Sequence, residues 1–321
     1  PRPSKRQGGS STMRLQAGIA AVAVFFTSAV VPAACRTSQR AMPPAAVPQP
    51  NAGTADFSVA EADPANLKLT PDGDAAVAEW DRLSAKGADA VDSPVASPDA
   101  SRPVANHLLQ RKYPNILTLH GPTDKRQVAL TFDDGPDRRF TPKILDILHR
   151  YRVPATFFVL GSRAKALPDA MRRIAAEGHA VGNHSYWHPK LFREPIGRLH
   201  WEATQTDEVI RQTVGYRPKM FRAPYGALTE DMVRELARLN YRVVGWSADS
   251  QDWRQIPADQ VVRNVMRDVR PGAIILFHSG GHWTEDLSGG VQALERLIPA
   301  LRAQGYEFVT VPRMLGIPVA R

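Results

Sequence analysis

Apolar segments of strand length alternate with amphipathic segments of helical period along residues 106–321 of this 321-residue chain. The strand candidates are short and bounded by turn residues, as buried strands are. Strands separated by helices predict an α/β fold with a parallel sheet, either open or closed into a barrel. The predicted strands are Val128–Phe132, Ala155–Leu160, Ala180–Asn183, Met220–Ala223, Arg242–Trp246, Ala273–Phe277 and Glu307–Val311. The predicted helices are Thr141–Tyr151, Pro168–Glu177, Leu199–Val214, Thr229–Leu239, Ala258–Val269 and Val291–Gln304.

Polar side chains recur at the carboxyl ends of the predicted strands or shortly after them. The carboxyl ends of parallel strands meet at one edge or rim, where α/β proteins place their functional groups. A purely structural core gives no reason for Asp, His and Arg residues to recur at the same end of successive strands. The residues at this rim are Asp133 and Asp134, His184 and His188, Arg222 and Tyr225, Asp249, Asp252 and Trp253, and His278.

One carboxylate and two histidines of this set suit a catalytic metal ion. His184 and His188 are four positions apart, so one helical turn would present both imidazoles on one side. Together with a carboxylate and an open position they form the ligand set of a catalytic zinc or similar ion. Of Asp133 and Asp134, one can bind the cation while the other accepts a proton from an attacking water. Taken alone, each short pattern also fits a surface turn or a coincidental histidine pair.

The start of the chain predicts export. An uncharged apolar run, Ala17–Val31, follows Met13 and one early Arg, and it is shorter than the roughly 20 residues of a membrane span. Cys35, the only cysteine, stands directly after two alanines. This position resembles the lipid-attachment box of bacterial lipoproteins. Lipid attachment at Cys35, ordinary cleavage near residues 31–33 and an uncleaved anchor stay open. The expected location is extracellular or in the cell envelope.

Composition divides the chain into three segments. Residues 1–35 form the signal or anchor segment, and residues 36–105 form a linker, since positions 41–105 contain 17 Ala and 9 Pro. Such a composition makes a poor core and predicts a disordered tether. Residues 106–321 form the catalytic domain and carry 31 basic and 22 acidic side chains. A basic surface suits an anionic polymer, and without a Lys/Arg run interleaved with aromatics nucleic acid is not expected as a partner. Membrane contact is expected only through the N-terminal segment.

Five short motifs, in order across roughly Lys125 to Pro318, resemble those of the polysaccharide deacetylase family (carbohydrate esterase family four, the nodulation-protein deacetylase domain). Each is short, but five in register are specific. The resemblance implies an irregular (β/α)7-type barrel, in agreement with the seven predicted strands. The motifs are Thr-Phe-Asp-Asp-Gly-Pro at 131–136, His-Ser-Tyr-Trp-His at 184–188, Arg-Ala-Pro-Tyr at 222–225, Asp-Ser-Gln-Asp-Trp at 249–253 and Leu-Phe-His at 276–278.

The resemblance also implies a role for each motif residue. Asp133 would be the catalytic base, and Arg222 would orient it. Asp134, His184 and His188 would bind a divalent metal. Zinc is the expected ion, with cobalt or nickel as alternatives that the same ligand set accepts.

The remaining implied roles concern the substrate and the leaving group. The backbone N–H of Tyr225 would help to hold the oxyanion, Trp253 would line a groove wall, and Leu276 would line an apolar pocket. His278 would be the general acid, and Asp252 would tune it.

The function that follows from the resemblance is hydrolysis of N-acetyl groups on an N-acetylglucosamine-type polysaccharide, with release of acetate. The expected partner is peptidoglycan or a chitin-like polymer. Two alternatives stay open. The same attack by water would serve an O-acetyl esterase acting on xylan, and a domain without activity could bind cell-wall glycan. The latter is disfavoured because no motif residue is missing.

Overall fold

Nine strands form one curled sheet in the computed structural model, which describes residues 102–321. The predicted export segment, Cys35 and residues 36–101 of the predicted linker lie outside the described residues. The strands are β1 (Leu117–Thr118), β2 (Gln127–Asp133), β3 (Thr156–Val159), β4 (Ala180–Asn183), β5 (Met220–Phe221), β6 (Arg242–Val244), β7 (Ala248–Asp249), β8 (Ala273–His278) and β9 (Glu307–Phe308).

The order of the strands explains why the sheet curls. All named strands pair in parallel in the order β1-β6-β5-β4-β3-β2-β8-β7, with β9 also paired to β2. β6 and β7 lie near opposite ends of this order, yet residues 245–247 alone separate them in the chain. The two ends of the sheet must therefore approach each other. The predicted barrel type is confirmed as this curled parallel sheet.

Helices follow the strands along the described residues. The helices are α1 (Asn106–Lys112), α2 (Thr141–Tyr151), α3 (Gly161–Ala166), α4 (Pro168–Ala176), α5 (Ile196–Val214), α6 (Glu230–Arg238), α7 (Ala258–Asp268), α8 (Ser288–Ala303) and α9 (Val311–Leu315). The six predicted helices are all present, with bounds that agree to within three residues, whereas α1, α3 and α9 were not predicted. Between residues 102 and 321 none of these helices combines the length and apolarity that crossing a membrane requires.

The predicted count of seven strands is wrong for the described residues. β1 and β7 have two residues each, too few to show a period in the sequence. The last predicted strand is also too long, because Val311 begins α9. Thr310 caps that helix by accepting a hydrogen bond from the N–H of Arg313, which ends the extended backbone.

Alternation along β2 directs polar groups to one face. Leu130 and Phe132 belong to the apolar cluster between the sheet and its covering helices. Thr131 and Asp133 have the opposite parity and lie on the other face, towards the inside of the curl. The Thr131 hydroxyl donates a hydrogen bond of 2.8 Å to the carbonyl of Ile275 on β8. Asp133, at the carboxyl end of β2, thus comes directly beside its register partner His278 on β8.

Candidate active site

Asp133 is held by a buried arginine from a distant strand end. Arg222 follows β5, and its Nη1 lies 2.7 Å from Asp133 Oδ1. The same Nη1 donates to the Thr131 hydroxyl at 2.8 Å. Nε and Nη2 donate to the carbonyls of Val244 and Gly245 at 3.1 and 2.9 Å. Arg222 is 1% exposed and Asp133 is 3% exposed, so the two side chains form a buried ion pair in which the guanidinium compensates for the water that the carboxylate loses.

We expect Arg222→Met to lower the free energy of unfolding by about 3–5 kcal/mol, because it leaves the Asp133 carboxylate buried without its cation. The measurement is urea unfolding of the metal-free protein at neutral pH. Arg234→Met is the control, since Arg234 is half exposed and its pairs with Glu230 and Asp231 are open to solvent, where ion pairs contribute little to stability. A loss at Arg222 no larger than at Arg234 would contradict this account of the pair.

Asp134, His184 and His188 form a cluster with metal-ligand chemistry. Asp134 Oδ1 lies 3.3 Å from Nε2 of His184 and 3.4 Å from Nε2 of His188. One ligand atom from each residue lies within 4.8 Å of the others. The predicted helical turn is wrong, because residues 184–188 form a loop after β4 in which Ser185 and His188 have φ of 70° and 60°. The loop nevertheless brings both imidazoles to Asp134.

The donor set fits a divalent cation. Asp134 Oδ1 is buried and accepts no hydrogen bond from any described residue. His184 Nδ1 lies 2.8 Å from the carbonyl oxygen of Arg222, so this nitrogen donates and directs Nε2 into the cluster. Burial alone would raise the pKa of Asp134, but His188 and His184 hold it well below its usual range. Burial also lowers the pKa of His188, to about 4, which leaves a neutral imidazole suited to ligation.

His278 and Asp252 form a second buried pair on the opposite side of Asp133. His278 Nδ1 lies 2.8 Å from Asp252 Oδ1, and the His278 backbone N–H donates to Oδ2 at 2.9 Å. Asp252 is further fixed by the hydroxyl of Ser250 at 2.9 Å, and Gly290 packs so closely that a Cβ there would lie 2.8 Å from Oδ2. Burial alone would lower the pKa of His278, but the carboxylates of Asp252 first and then of Asp134 and Asp133 raise it to about 10.

The three predicted substrate-contacting residues have different environments. Tyr225 and Trp253 are 58% and 52% exposed, unusual for such large side chains next to a buried cluster. Tyr225 has φ of 60°, and its ring lies 4.5 Å from that of His188 between centroids. Leu276 is 3% exposed and shares a face of β8 with His278, two residues on. The structure therefore brings all ten predicted site residues to one end of the sheet.

Glu202 is a residue of this site that sequence reasoning missed. It lies on α5, is fully buried, and accepts hydrogen bonds from the backbone N–H groups of Tyr186 and Trp187 at 2.6 and 2.8 Å. The sequence contains one indication of it. Glu202 falls on the helical stripe that also carries Leu199 and Ala203, where an apolar residue is expected.

Comparison with known proteins agrees with this geometry. The sequence model for polysaccharide deacetylases matches residues 120–244, which include three of the five motifs. The peptidoglycan-N-acetylglucosamine deacetylase of Bacillus cereus is 45% identical over 196 residues, which cover 60% of this chain and 70% of that protein. The chain belongs to the polysaccharide deacetylase family. This confirms the resemblance found in the motifs and makes the chain a polysaccharide N-deacetylase.

The match extends over nearly the whole length of another curated relative and of one solved structure. A chitooligosaccharide deacetylase of Bradyrhizobium is 40% identical over 198 residues, 59% of this chain and 90% of that protein. The crystal structure of the Bc1960 peptidoglycan N-acetylglucosamine deacetylase has a TM-score of 0.62 and 42% identity, covering 64% of this chain and 95% of that one. These matches span 59% and 64% of this chain and at least 90% of each of the two proteins.

Proposed function

We propose that this chain is a metal-dependent hydrolase that removes N-acetyl groups from the N-acetylglucosamine units of peptidoglycan. The observation that carries the proposal is the strand order β4-β3-β2-β8, which places Asp133 at the end of β2 between the metal-ligand histidines that follow β4 and His278 at the end of β8. One carboxylate thus has metal-ligand groups on one side and a protonated imidazole on the other. Hydrolysis of an amide requires a base that takes a proton from water and an acid that gives a proton to the departing amine, both next to the same bond.

The metal would be held by Asp134, His184 and His188, and zinc fits this oxygen and nitrogen donor set, as do cobalt and nickel. When bound, a divalent ion supplies Lewis-acid chemistry, polarising the acetyl oxygen and lowering the pKa of water. The three residues would leave further coordination positions open, which catalytic sites require and structural zinc sites lack.

Asp133 would act as the base. The Arg222 guanidinium occupies Oδ1 at 2.7 Å, which fixes the carboxylate plane and leaves Oδ2 to accept the proton of the attacking water. The water oxygen bonds to the acetyl carbon as its proton moves to Asp133. As an early residue of the 3-10 turn Pro224–Gly226, Tyr225 has no partner for its N–H within that turn, so this group can stabilise the oxyanion.

His278 would act as the acid. Its Nδ1 is engaged by Asp252, so the proton available for transfer lies on Nε2. When the carbon–nitrogen bond breaks, Nε2 gives this proton to the departing amine, and acetate and a free amino sugar result. Leu276 on the same strand face would contact the acetyl methyl group, and the exposed rings of Tyr225 and Trp253 would contact the sugar.

Because His278 must be protonated to act, activity should fall on the alkaline side as pH rises through its pKa. Asp252 makes the largest contribution to raising that pKa from 6.5 to about 10, so Asp252→Asn should move the alkaline limb of the kcat/KM profile to lower pH by at least about one unit. Asp268→Asn is the control, because Asp268 pairs with Arg267 at the surface. If the alkaline limb were unchanged in Asp252→Asn, a group other than His278 would be responsible for the loss of activity at high pH.

Two observations support peptidoglycan as the substrate. The Bacillus cereus relative named above acts on peptidoglycan, and residues 106–321 carry a surplus of basic side chains suited to an anionic wall polymer. Export through the segment before Cys35 would deliver the enzyme to such a polymer. We propose this location together with the substrate.

The test compares the full-length protein, stripped with a chelator, before and after zinc is restored. Substrates are peptidoglycan, a chito-oligosaccharide and acetylated xylan, and both acetate and new free amines are measured. We expect equal amounts of acetate and amine, released fastest from peptidoglycan and only with metal. Acetate from xylan without amine would establish an O-acetyl esterase instead, and glycan binding without any release would establish a wall-binding domain.

A further inference from the structure

The loop that carries both histidine ligands is strained. Ser185 and His188 adopt left-handed backbone conformations, with φ of 70° and 60°, and neither is a glycine. A residue other than glycine is less stable in this region than in an ordinary conformation, because its Cβ lies too close to the following carbonyl oxygen. Strain of this kind persists only where surrounding contacts fix the backbone.

Every amide from residue 185 to residue 188 has a fixed partner. The N–H of Ser185 donates to Asn183 Oδ1 at 2.9 Å, and the N–H of His188 donates to the Ser185 hydroxyl at 3.1 Å. The two central amides, those of Tyr186 and Trp187, both donate to Oε2 of Glu202. The outer two acceptors are local, because Asn183 is the last residue of β4 directly before the loop and Ser185 lies in the loop itself. Glu202 is the only one of the three acceptor residues that is distant in the chain, since it lies on helix α5.

Glu202 is itself held in place. Arg198, one helical turn earlier on α5, lies 2.7 Å from Glu202 Oε1 through Nη2 and donates from Nε at 2.9 Å. Each carboxylate oxygen therefore has its own donors, with Oε1 directed to Arg198 and Oε2 to the loop. A charged acceptor binds two amides about twice as strongly as a neutral one would.

We propose that Glu202 is a positioning residue that holds His184 and His188 in ligand geometry before the metal binds. It touches neither metal nor substrate and acts through the backbone between the two ligands. The inference rests on the proposed function only in that these histidines bind a divalent ion. Residues behind metal ligands typically change metal affinity 10–100-fold when replaced.

Glu202→Gln tests this assignment, because the amide keeps the size of the side chain but loses the charge. We expect zinc affinity, measured against a chromophoric chelator with the full-length protein, to fall about 10–100-fold. At saturating zinc the variant should recover most of the wild-type kcat. Glu208→Gln on the same helix is the control, since Glu208 pairs with Arg211 and Arg217 at the surface.

A second readout separates positioning from mere stabilisation. A structural role would lower the melting temperature with and without zinc alike, whereas a positioning role also shrinks the rise that zinc produces. Equal zinc affinity in Glu202→Gln and wild type would overturn the role of Glu202 but leave the proposed metal site intact. Failure of the wild type itself to bind zinc would overturn the proposed metal site and this inference with it.

If Glu202→Gln does not fold, hydrogen exchange of the metal-free wild type decides the question. The amides of Tyr186 and Trp187 should be protected to the extent of the surrounding strands, because their acceptor is present without metal. Exchange of these two amides at the rate of exposed loops would show that the loop is not held before metal binding.

Discussion

Asp133→Asn should lower kcat for acetate release by about 10²–10⁴-fold while KM changes little. Asparagine keeps the shape of the side chain but cannot accept the proton of the attacking water. We expect substrate contacts to change little, because Asp133 is 3% exposed and offers almost no surface to a substrate. Steady-state kinetics on a chito-oligosaccharide with zinc present measures both constants.

Two controls test whether the loss of kcat is specific to the base. Asp259→Asn, at an exposed pair with Arg296, should leave kcat unchanged. The zinc affinity of Asp133→Asn should stay near that of the wild type, since Asp134, His184 and His188 are intact. A kcat within tenfold of the wild type would show that a different group accepts the proton.

The second large effect is expected at a metal ligand. His184→Ala removes one of three donors, and we expect zinc binding to be lost at micromolar concentrations and kcat to fall by at least about 10³-fold. His184 is also the ligand fixed most firmly, through its Nδ1 bond to the Arg222 carbonyl. Zinc titration and acetate release measure the two effects separately.

His149→Ala is the matched control, because His149 is exposed near the end of α2, far along the chain from the motif histidines. It should bind zinc and release acetate as the wild type does. If His184→Ala retained both properties, the cluster at Asp134 would not be the site of the catalytic ion.

The sequence by itself determined the fold class and the ten motif residues of the site, but not Glu202. Parallel strands carry their functional groups at one end, so a polar residue after each apolar run identifies the rim without any coordinates. Asp133, Asp134, His184, Arg222 and His278 all follow this rule. Helices of nine or more residues were also predictable, because several turns of helical period leave a repeated pattern.

Other features were decided by tertiary structure alone. The two-residue strands β1 and β7 exist because neighbouring strands supply their hydrogen bonds, and no local pattern encodes them. The spacing of His184 and His188 favours a helical turn, but Glu202 and Asn183 stabilise a loop instead. The local preference for a helical turn is overridden because the amides of Tyr186 and Trp187 donate to the buried carboxylate of Glu202, which is distant in the chain.

The same division holds for the chemistry. The sequence shows which acids, bases and ligands are present, because the type of each side chain does not depend on the fold. Their partners are set by contacts between distant segments, such as Arg222 with Asp133, 89 positions apart, and Asp252 with His278, 26 apart. Charge state and orientation depend on these contacts, because burial and a neighbouring charge shift a pKa only once the chain has folded.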